Sequence, residues 1–168
     1  MEQFNDIYQQ HYASVFRLVS KFTLGSHETD DIVQDVFVKL YMQIEAGVVV
    51  LYPKTWLYKV ATNACLNTLS RNRETHSIDK ISDLETTIAD SIDTQIENAE
   101  LQKNLQQGLL KLRENERMIV ILYSEGLSYK EIAEISGIRF SSIGKSLSRS
   151  LEKLKPLLKN QYDEMLNK

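Results

Sequence analysis

The stretch SYKEIAEISGIRFSSIGKSLSRSLEKL, residues 128–154, decides the fold of the C-terminal part of the chain. Ser128 and Glu131 form an S-x-x-E capping box, which satisfies free backbone amides where a helix begins. Helical spacing of apolar residues continues to Gly137, where glycine permits the positive-φ turn that ends a helix. A second helix is predicted from about residue 141, and its expected inward-facing residues are Ile143, Leu147, Leu151 and Leu154. This order predicts a helix-turn-helix.

The outer face of that second helix is basic. Residues 139–159 hold six Lys or Arg against one acid, Glu152. Such a concentration of positive charge is typical of an element that contacts phosphates, and the second helix of a helix-turn-helix enters the major groove. A helical hairpin with a solvated basic face is the alternative. The residues expected to contact duplex DNA are Arg139, Ser141, Ser142, Lys145, Ser146 and Arg149.

Three more helices are predicted before residue 75. The first carries an apolar stripe from Phe4 to Val19 and ends at Gly25, and the second follows the acidic pair Asp30–Asp31. The third begins near Trp56, which is expected to pack in the core. The apolar run VVVLY at 48–52 has no partner strand nearby and is therefore predicted to be a loop or a packed turn.

Composition divides the chain into two domains. Residues 76–95 are rich in Ser, Thr and Asp and are interpreted as a linker, after which helical periodicity resumes at Ile96. The net charge is −1 over 1–75, −5 over 76–107 and +3 over 108–168. The expected fold is all-α, with small helical domains at 1–75 and 96–168 joined by a flexible acidic linker.

Several classes of protein are disfavoured by the residues present. The single cysteine, Cys65, excludes an intrachain disulfide and is expected to be a buried, inert thiol. No apolar run approaches the roughly 20 residues of a membrane span, and the polar N-terminus argues against a signal peptide, so a cytoplasmic protein is expected. We find no metal spacing, phosphate loop or nucleophile motif. The chain is therefore expected to be no enzyme and to need no metal, cofactor or small-molecule substrate.

The first domain adds a resemblance to a known family. Residues 26–41, SHETDDIVQDVFVKLY, carry an acidic pair, an apolar pair, Gln, an acid, an apolar residue and Phe, which resembles the polymerase-binding helix of bacterial RNA polymerase sigma factors. Residues 53–74, PKTWLYKVATNACLNTLSRNRE, resemble the family's helix that melts and holds the promoter −10 element. Residues 109–155, from LLKLRENERMIVILYSEGLSYKEIAEISGI through RSLEKLK, resemble region 4, which binds the −35 element. The resemblance is to the small extracytoplasmic-function (ECF) type and covers about 5–75 and 96–157.

The resemblance implies a region 2 helical bundle followed by a region 4 helix-turn-helix, and it assigns roles to residues. The polymerase-binding residues would be Asp31, Gln34, Asp35 and Val38, whose spacing also places them on one helix face. The residues that hold the −10 element would be Lys59, Asn63, Asn67, Arg71 and Arg73. The loop Glu45–Pro53 would cup an extruded base. The acidic linker would lie in the basic RNA channel of the polymerase.

The sequence departs from the family pattern in two places. The recognition helix lacks the basic residues expected at 144 and 146, and Lys145 is new. Gly144 in a helix interior costs about 1 kcal/mol relative to alanine. In the first domain, Thr62 stands where the family usually has Arg. The −35 contacts are therefore not transferable from relatives, and one −10 backbone contact is expected to be missing.

The partners implied are core RNA polymerase and promoter DNA, with an anti-sigma factor as a further partner that many relatives have. Two other functions fit the residues alone. A stand-alone helix-turn-helix regulator would bind duplex DNA tightly without polymerase. A helical protein-interaction adaptor would use the basic helix on an acidic protein and show no DNA sequence preference.

Overall fold

The structure is a computed structural model that describes residues 2–75 and 92–166, with side chains for 2–71 and 102–156. The described residues form seven helices joined by turns, with no strand, which confirms the all-α prediction. They fall into two compact units: the first contains the first three helices, and the second contains the remaining four except for the last residues of the sixth helix. No helix in the described ranges is both long enough and apolar enough to cross a membrane.

The first unit consists of α1 (Glu2–Thr23), α2 (Glu28–Glu45) and α3 (Pro53–Thr75), and each helix packs on the other two. Burial of a side chain the size of valine or larger contributes about 1.5–3 kcal/mol, so this shared core is the main stabilising term of the unit. The residues buried in it include Val15, Leu18, Val19, Phe22, Val36, Leu40, Leu57, Tyr58, Ala61 and Cys65. Trp56, predicted to be a core residue, is only half-buried, and Tyr58 is fully buried beside it.

The turn between α1 and α2 is fixed by two buried hydroxyls. Leu24 and Gly25 adopt φ values of 56° and 75°, which confirms the predicted helix end at Gly25. Thr23 donates its hydroxyl hydrogen to the carbonyl of Val19 at 3.0 Å, and the hydroxyls of Thr23 and Thr29 are 2.7 Å apart. Because Thr23 has already used its hydrogen, Thr29 is the donor of the second bond. The pair therefore ties the start of α2 to the end of α1.

The apolar stripe predicted on α1 divides between two environments. Its aliphatic members enter the core, whereas its aromatic members lie half-exposed along the seam with α2. The ring of Tyr8 meets that of Phe37 edge-on at 4.8 Å, and Phe4 meets Tyr41 at 5.5 Å. Aromatic pairs in this geometry contribute about 0.5–1.5 kcal/mol beyond their buried area. The seam therefore helps to hold α2 in place against α1.

The second unit contains α4 (Ile92–Lys111), α5 (Glu114–Ser124), α6 (Tyr129–Ser136) and α7 (Phe140–Leu166). Helix α7 packs against both α4 and α5. Helix α4 begins at Ile92, four residues before the predicted return of helical periodicity; residues 76–91 of the predicted linker lie outside the described residues. The buried residues of this unit include Leu109, Leu112, Met118, Ile119, Ile121, Leu122, Leu127, Ile132, Ile143, Leu147 and Leu154.

One inward-facing residue of α7 was predicted wrongly. Leu151 is 44% exposed, whereas Ser150 is fully buried. The hydroxyl of Ser150 donates to the carbonyl of Ser146 at 2.8 Å, so its burial leaves no unsatisfied donor. Ser150 can be buried in the core because the carbonyl of Ser146, in the same helix, accepts the hydrogen bond from its hydroxyl.

Candidate nucleic-acid and protein interfaces

The outer side of α2 carries the four residues predicted to bind polymerase, which we call the α2 face: Asp31, Gln34, Asp35 and Val38. All four are exposed, whereas Ile32, Val33 and Val36 on the opposite side are buried in the core. The structure therefore brings the predicted set together on one surface, anchored through a rigid helix.

The α2 face continues at its C-terminal end into an apolar patch that the sequence reasoning did not include. Val38 is 54% exposed and Met42, one turn further on, is 62% exposed. Protein interfaces are typically built on apolar anchors surrounded by polar residues, and methionine is enriched in them. The i+4 spacing of Met42 from Val38 was the signal that could have identified it.

The outer side of α3 carries a row of residues at four-residue intervals, which we call the α3 row: Lys59, Asn63, Asn67 and Arg71. All four are exposed, and the row extends for about 18 Å along the helix. Arg73, the fifth predicted −10 residue, lies in the last turn of α3, beyond the described side chains. Four of the five predicted residues are thus exposed along the length of α3.

Thr62 lies next to the α3 row but does not belong to it. Its side chain is fully buried, and its hydroxyl has no hydrogen-bond partner among the described residues. Because position 62 faces the core, Thr62 cannot supply the backbone contact that the family pattern places there.

The loop between α2 and α3 is apolar but largely exposed. Residues 48–52 form neither helix nor strand, as predicted. Val50 is buried and anchors the loop, while Val49 and Leu51 extend into solvent. Tyr52 is 76% exposed, and its carbonyl accepts the amide of Trp56 at 3.0 Å in the first turn of α3. A carbon-rich loop at the head of the α3 row offers a surface on which an unstacked base could lie.

Cys65 lies on the buried side of α3 and is not a candidate nucleophile. The thiol is free and fully buried. Desolvation raises its pKa to about 12, so the thiolate is not populated at neutral pH. The predicted inert role of this cysteine is confirmed.

The helix-turn-helix forms with the predicted cap and turn. The backbone amide of Ser128 donates to the carboxylate of Glu131 at 2.8 Å, and the amide of Glu131 donates back to the hydroxyl of Ser128 at 3.3 Å. Gly137 has φ 71°, which ends α6. The amide of Ser142 donates to the carbonyl of Arg139 at 2.8 Å, which closes the first turn of α7. These bonds hold the start of α6 and the first turn of α7.

The six residues predicted to contact duplex DNA gather around the first half of α7. Arg139, Ser141, Ser142, Lys145 and Arg149 are exposed, and Ser146 is half-buried. Ile143 and Leu147, on the opposite side of the same turns, are fully or almost fully buried. Because one side of α7 is buried in the core, its cationic side faces solvent.

Two aromatic residues beside this set were missed by the sequence reasoning. Phe140, the first residue of α7, is 62% exposed. A Cβ at Gly144 would lie 3.3 Å from Cε2 of Tyr129, so the missing side chain is what allows the Tyr129 ring to lie against α7. The contact between Tyr129 and Gly144 joins two helices, so helical periodicity within either helix does not predict it.

Lys153 forms an ion pair with another residue of the same domain. Its Nζ lies 2.7 Å from Oε1 of Glu116 on α5. Glu116 also accepts the backbone amide of Arg113 at 3.0 Å, where α5 begins. The hydrogen bonds from Lys153 and from the Arg113 amide lower the pKa of Glu116 below its usual range. Lys153 therefore ties α7 to α5.

Comparison with known families defines the class of protein. The sigma-70 region 2 family matches residues 7–75, and the sigma-70 region 4 family matches residues 102–154. The matched ranges coincide with the helices that carry the α2 face and the α3 row and with the helix-turn-helix. The order of the two matches is that of an RNA polymerase sigma factor.

Whole-chain relatives identify the subfamily. The ECF RNA polymerase sigma-E factor of Escherichia coli (strain K12) is 30% identical over 172 residues, covering 93% of this chain and 88% of that protein. The ECF RNA polymerase sigma factor SigW of Bacillus subtilis (strain 168) is 25% identical, covering 95% and 90%. The chain belongs to the ECF RNA polymerase sigma factors, and its partners are core RNA polymerase and promoter DNA.

Solved structures share the fold. The sigma factor RpoE from Bartonella quintana, solved in complex with the anti-sigma factor NepR, has a TM-score of 0.73 at 21% identity, covering 95% of this chain and 98% of that one. CnrH, solved in complex with the cytosolic domain of CnrY, has a TM-score of 0.65 at 20% identity, covering 94% and 88%.

Proposed function

We propose that the two domains divide promoter recognition between them. The domain at 1–75 binds core polymerase through the α2 face and holds the opened −10 element on the α3 row and the apolar loop before it. The domain at 96–168 binds the −35 duplex through α7, and the segment 76–95 links the two. RNA synthesis belongs to core polymerase, so the chain alone is expected to make no transcript.

The observation that carries this proposal is the exposure and regular spacing of the α3 row. Asn63 and Asn67 each offer a donor and an acceptor to unpaired base edges, and Lys59 and Arg71 offer charge to the phosphates on either side of them. The opposite side of α3 is core, so the row is presented by a rigid element.

The first experiment is transcription in vitro with core polymerase, with and without this chain, on a library of promoter fragments. Transcripts that start at defined sites only when the chain is present support the proposal and reveal its −10 and −35 preferences. Specific duplex binding by the free chain without transcripts would instead indicate a stand-alone regulator. Binding to protein partners without DNA preference would indicate an adaptor.

The assignment of the α3 row is tested on the promoter so found. Asn63→Ala combined with Asn67→Ala should reduce open-complex formation tenfold or more, since each good base contact is worth about 1–3 kcal/mol. Gln10→Ala, an exposed polar change on α1, is the matched control and should leave open-complex formation unchanged. Wild-type opening by the double variant would contradict the assignment.

The assignment of the α2 face is tested by binding core polymerase in the absence of DNA. Met42→Glu or Val38→Glu places a charge in the apolar patch at the C-terminal end of the face and should weaken binding tenfold or more, because a few apolar anchors carry much of the binding energy of an interface. Circular dichroism should show an unchanged fold, since both side chains are more than half exposed. Unchanged affinity would exclude this face as the polymerase contact.

An anti-sigma factor is proposed as a regulator, and the chain is assigned to the cytoplasm, where polymerase and promoter DNA are found. Support comes from the two structural neighbours, each of which was solved with a protein partner. If such a regulator covers the α2 face, it should lower transcript yield and should compete with core polymerase for the chain. A regulator that lowers yield without competing would place its site elsewhere.

A further inference from the structure

Phe140 is a large apolar side chain at the DNA-reading end of α7. It is the first residue of the helix and is 62% exposed, while its neighbours Arg139 and Ser141 are exposed polar residues. Single exposed apolar side chains are common on protein surfaces, so exposure alone assigns no role. The position of Phe140 is what makes its exposure informative.

The N-terminal residues of a recognition helix are the ones that contact base edges in the major groove. The polar residues near Phe140 donate hydrogen bonds to bases or to phosphates. A phenylalanine ring does neither. The feature of a major-groove edge that suits an apolar ring is the C5-methyl group of thymine, which A·T and T·A pairs carry and G·C pairs lack.

The flank of α7 that continues from Phe140 is also uncharged. Gly144 follows one helical turn later on the same side, and the ring of Tyr129 lies against it. Tyr129 is itself partly exposed. This side of the recognition helix therefore presents carbon surface at position 144, where the family pattern has a cation.

We propose that Phe140 reads one thymine of the −35 element through its C5-methyl group. The inference rests on the proposed function of the second domain and deepens it, because it names the base feature that this helix discriminates. It also accounts for an aromatic side chain that the hydrophobic core of the domain does not use.

The test uses the holoenzyme, assembled from core polymerase and the full chain, on the preferred promoter obtained by transcription in vitro. Each thymine of the −35 element, in either strand, is replaced in turn by uracil, which differs only in lacking the C5-methyl group. At one position uracil should weaken wild-type binding about fourfold, the equivalent of about 0.8 kcal/mol for one buried methyl group. Phe140→Ala should bind the thymine and uracil forms of that position equally.

Controls separate the inference from the function on which it rests. Leu151→Ala removes another exposed apolar side chain from α7, three turns further on, and should retain the uracil effect. Transcription from the unmodified promoter shows that the proposed function holds, whatever the uracil series gives. The inference is overturned if every uracil substitution is tolerated, if the effect persists in Phe140→Ala, or if the preferred −35 element contains no thymine.

Discussion

Helices α3 and α7 are both proposed to contact DNA, and they present different chemistry to it. The α3 row places two amides between two cations, next to a loop of exposed carbon surface. The first half of α7 presents cations and serines, with one exposed aromatic ring at its start. Amides and apolar surface suit unpaired, unstacked bases, whereas cations and hydroxyls suit the phosphates and groove edges of an intact duplex.

The two helices also differ in how the core supports them. The buried side of α3 is continuous and includes Leu57, Ala61 and Cys65. The buried side of α7 includes Ser150, and a neighbouring side of the helix carries Gly144. Among the described residues, α7 buries three large aliphatic side chains, Ile143, Leu147 and Leu154, and these are sensitive points of the second unit.

The largest effect is expected from Ile143→Ala, which removes a fully buried side chain beneath the DNA-contacting side of α7. Deletion of this much buried apolar volume costs about 2–5 kcal/mol. Hydrogen exchange on the full chain should show loss of protection in α4, α5, α6 and α7 and little change in α1–α3. Leu151→Ala, on the exposed side, should change stability by less than about 0.5 kcal/mol. Equal loss of protection in all seven helices would show that the two units unfold as one.

A second prediction concerns salt, and it distinguishes the two helices directly. Each of Lys145→Ala and Arg149→Ala should reduce the slope of log affinity against log salt concentration by about 1, as expected for one lost phosphate contact. Asn63→Ala combined with Asn67→Ala should weaken the complex without changing that slope, because amides release no counterions. The measurement is holoenzyme binding to the preferred promoter at several salt concentrations.

Lys111→Ala is the control for the salt series, since it removes an exposed charge of the same domain from α4. Its slope should equal that of the wild type. If the double asparagine variant reduced the slope as much as Lys145→Ala does, the proposed division between amide and charge contacts would be wrong.

The sequence predicts the helices well because local signals determine them. The capping box at Ser128 and the glycine turns at 25 and 137 have short-range causes and appear as expected. Exposure of the α2 face and the α3 row follows from helical periodicity. What failed was the assumption of strict four-residue spacing on α7. Two steps of four residues from Ile143 rotate Leu151 by about 80°, whereas Ser150 lies about 20° from Ile143, so the core uses Ser150 rather than Leu151.

Contacts between helices could not be predicted in the same way. Gly144 was interpreted from the sequence as a helix-weakening departure from the family pattern. In the structure the same glycine accommodates the ring of Tyr129 from another helix. Fully buried Tyr58 and the ion pair of Glu116 with Lys153 likewise depend on packing between helices. Such contacts leave no periodic signal in the sequence, since each depends on how two separate helices pack.

The third prediction tests whether Gly144 is needed for that contact. Gly144→Ala gains about 1 kcal/mol of helix propensity but places a Cβ 3.3 Å from Cε2 of Tyr129. Because the Tyr129 ring is partly exposed, it can shift by a few tenths of an ångström. The variant should therefore be more stable by about 0.5–1 kcal/mol in thermal unfolding. A loss of stability would show that the ring is fixed, and Tyr129→Ala should then restore the gain.

The smallest effect is expected from Glu116→Gln, which keeps an acceptor for the Arg113 amide but removes the charge that faces Lys153. Because the folded-state pKa of Glu116 is lowered, its stabilisation is complete above the ordinary carboxyl pKa and is lost as pH falls through the folded-state value. At pH 7 the variant should be less stable by up to about 0.5 kcal/mol, as is usual for exposed ion pairs. In acid the two proteins should converge, and Lys153→Met should show the same convergence. A stability difference that did not change with pH would assign the contribution of Glu116 to its neutral hydrogen bonding at the start of α5 rather than to its charge.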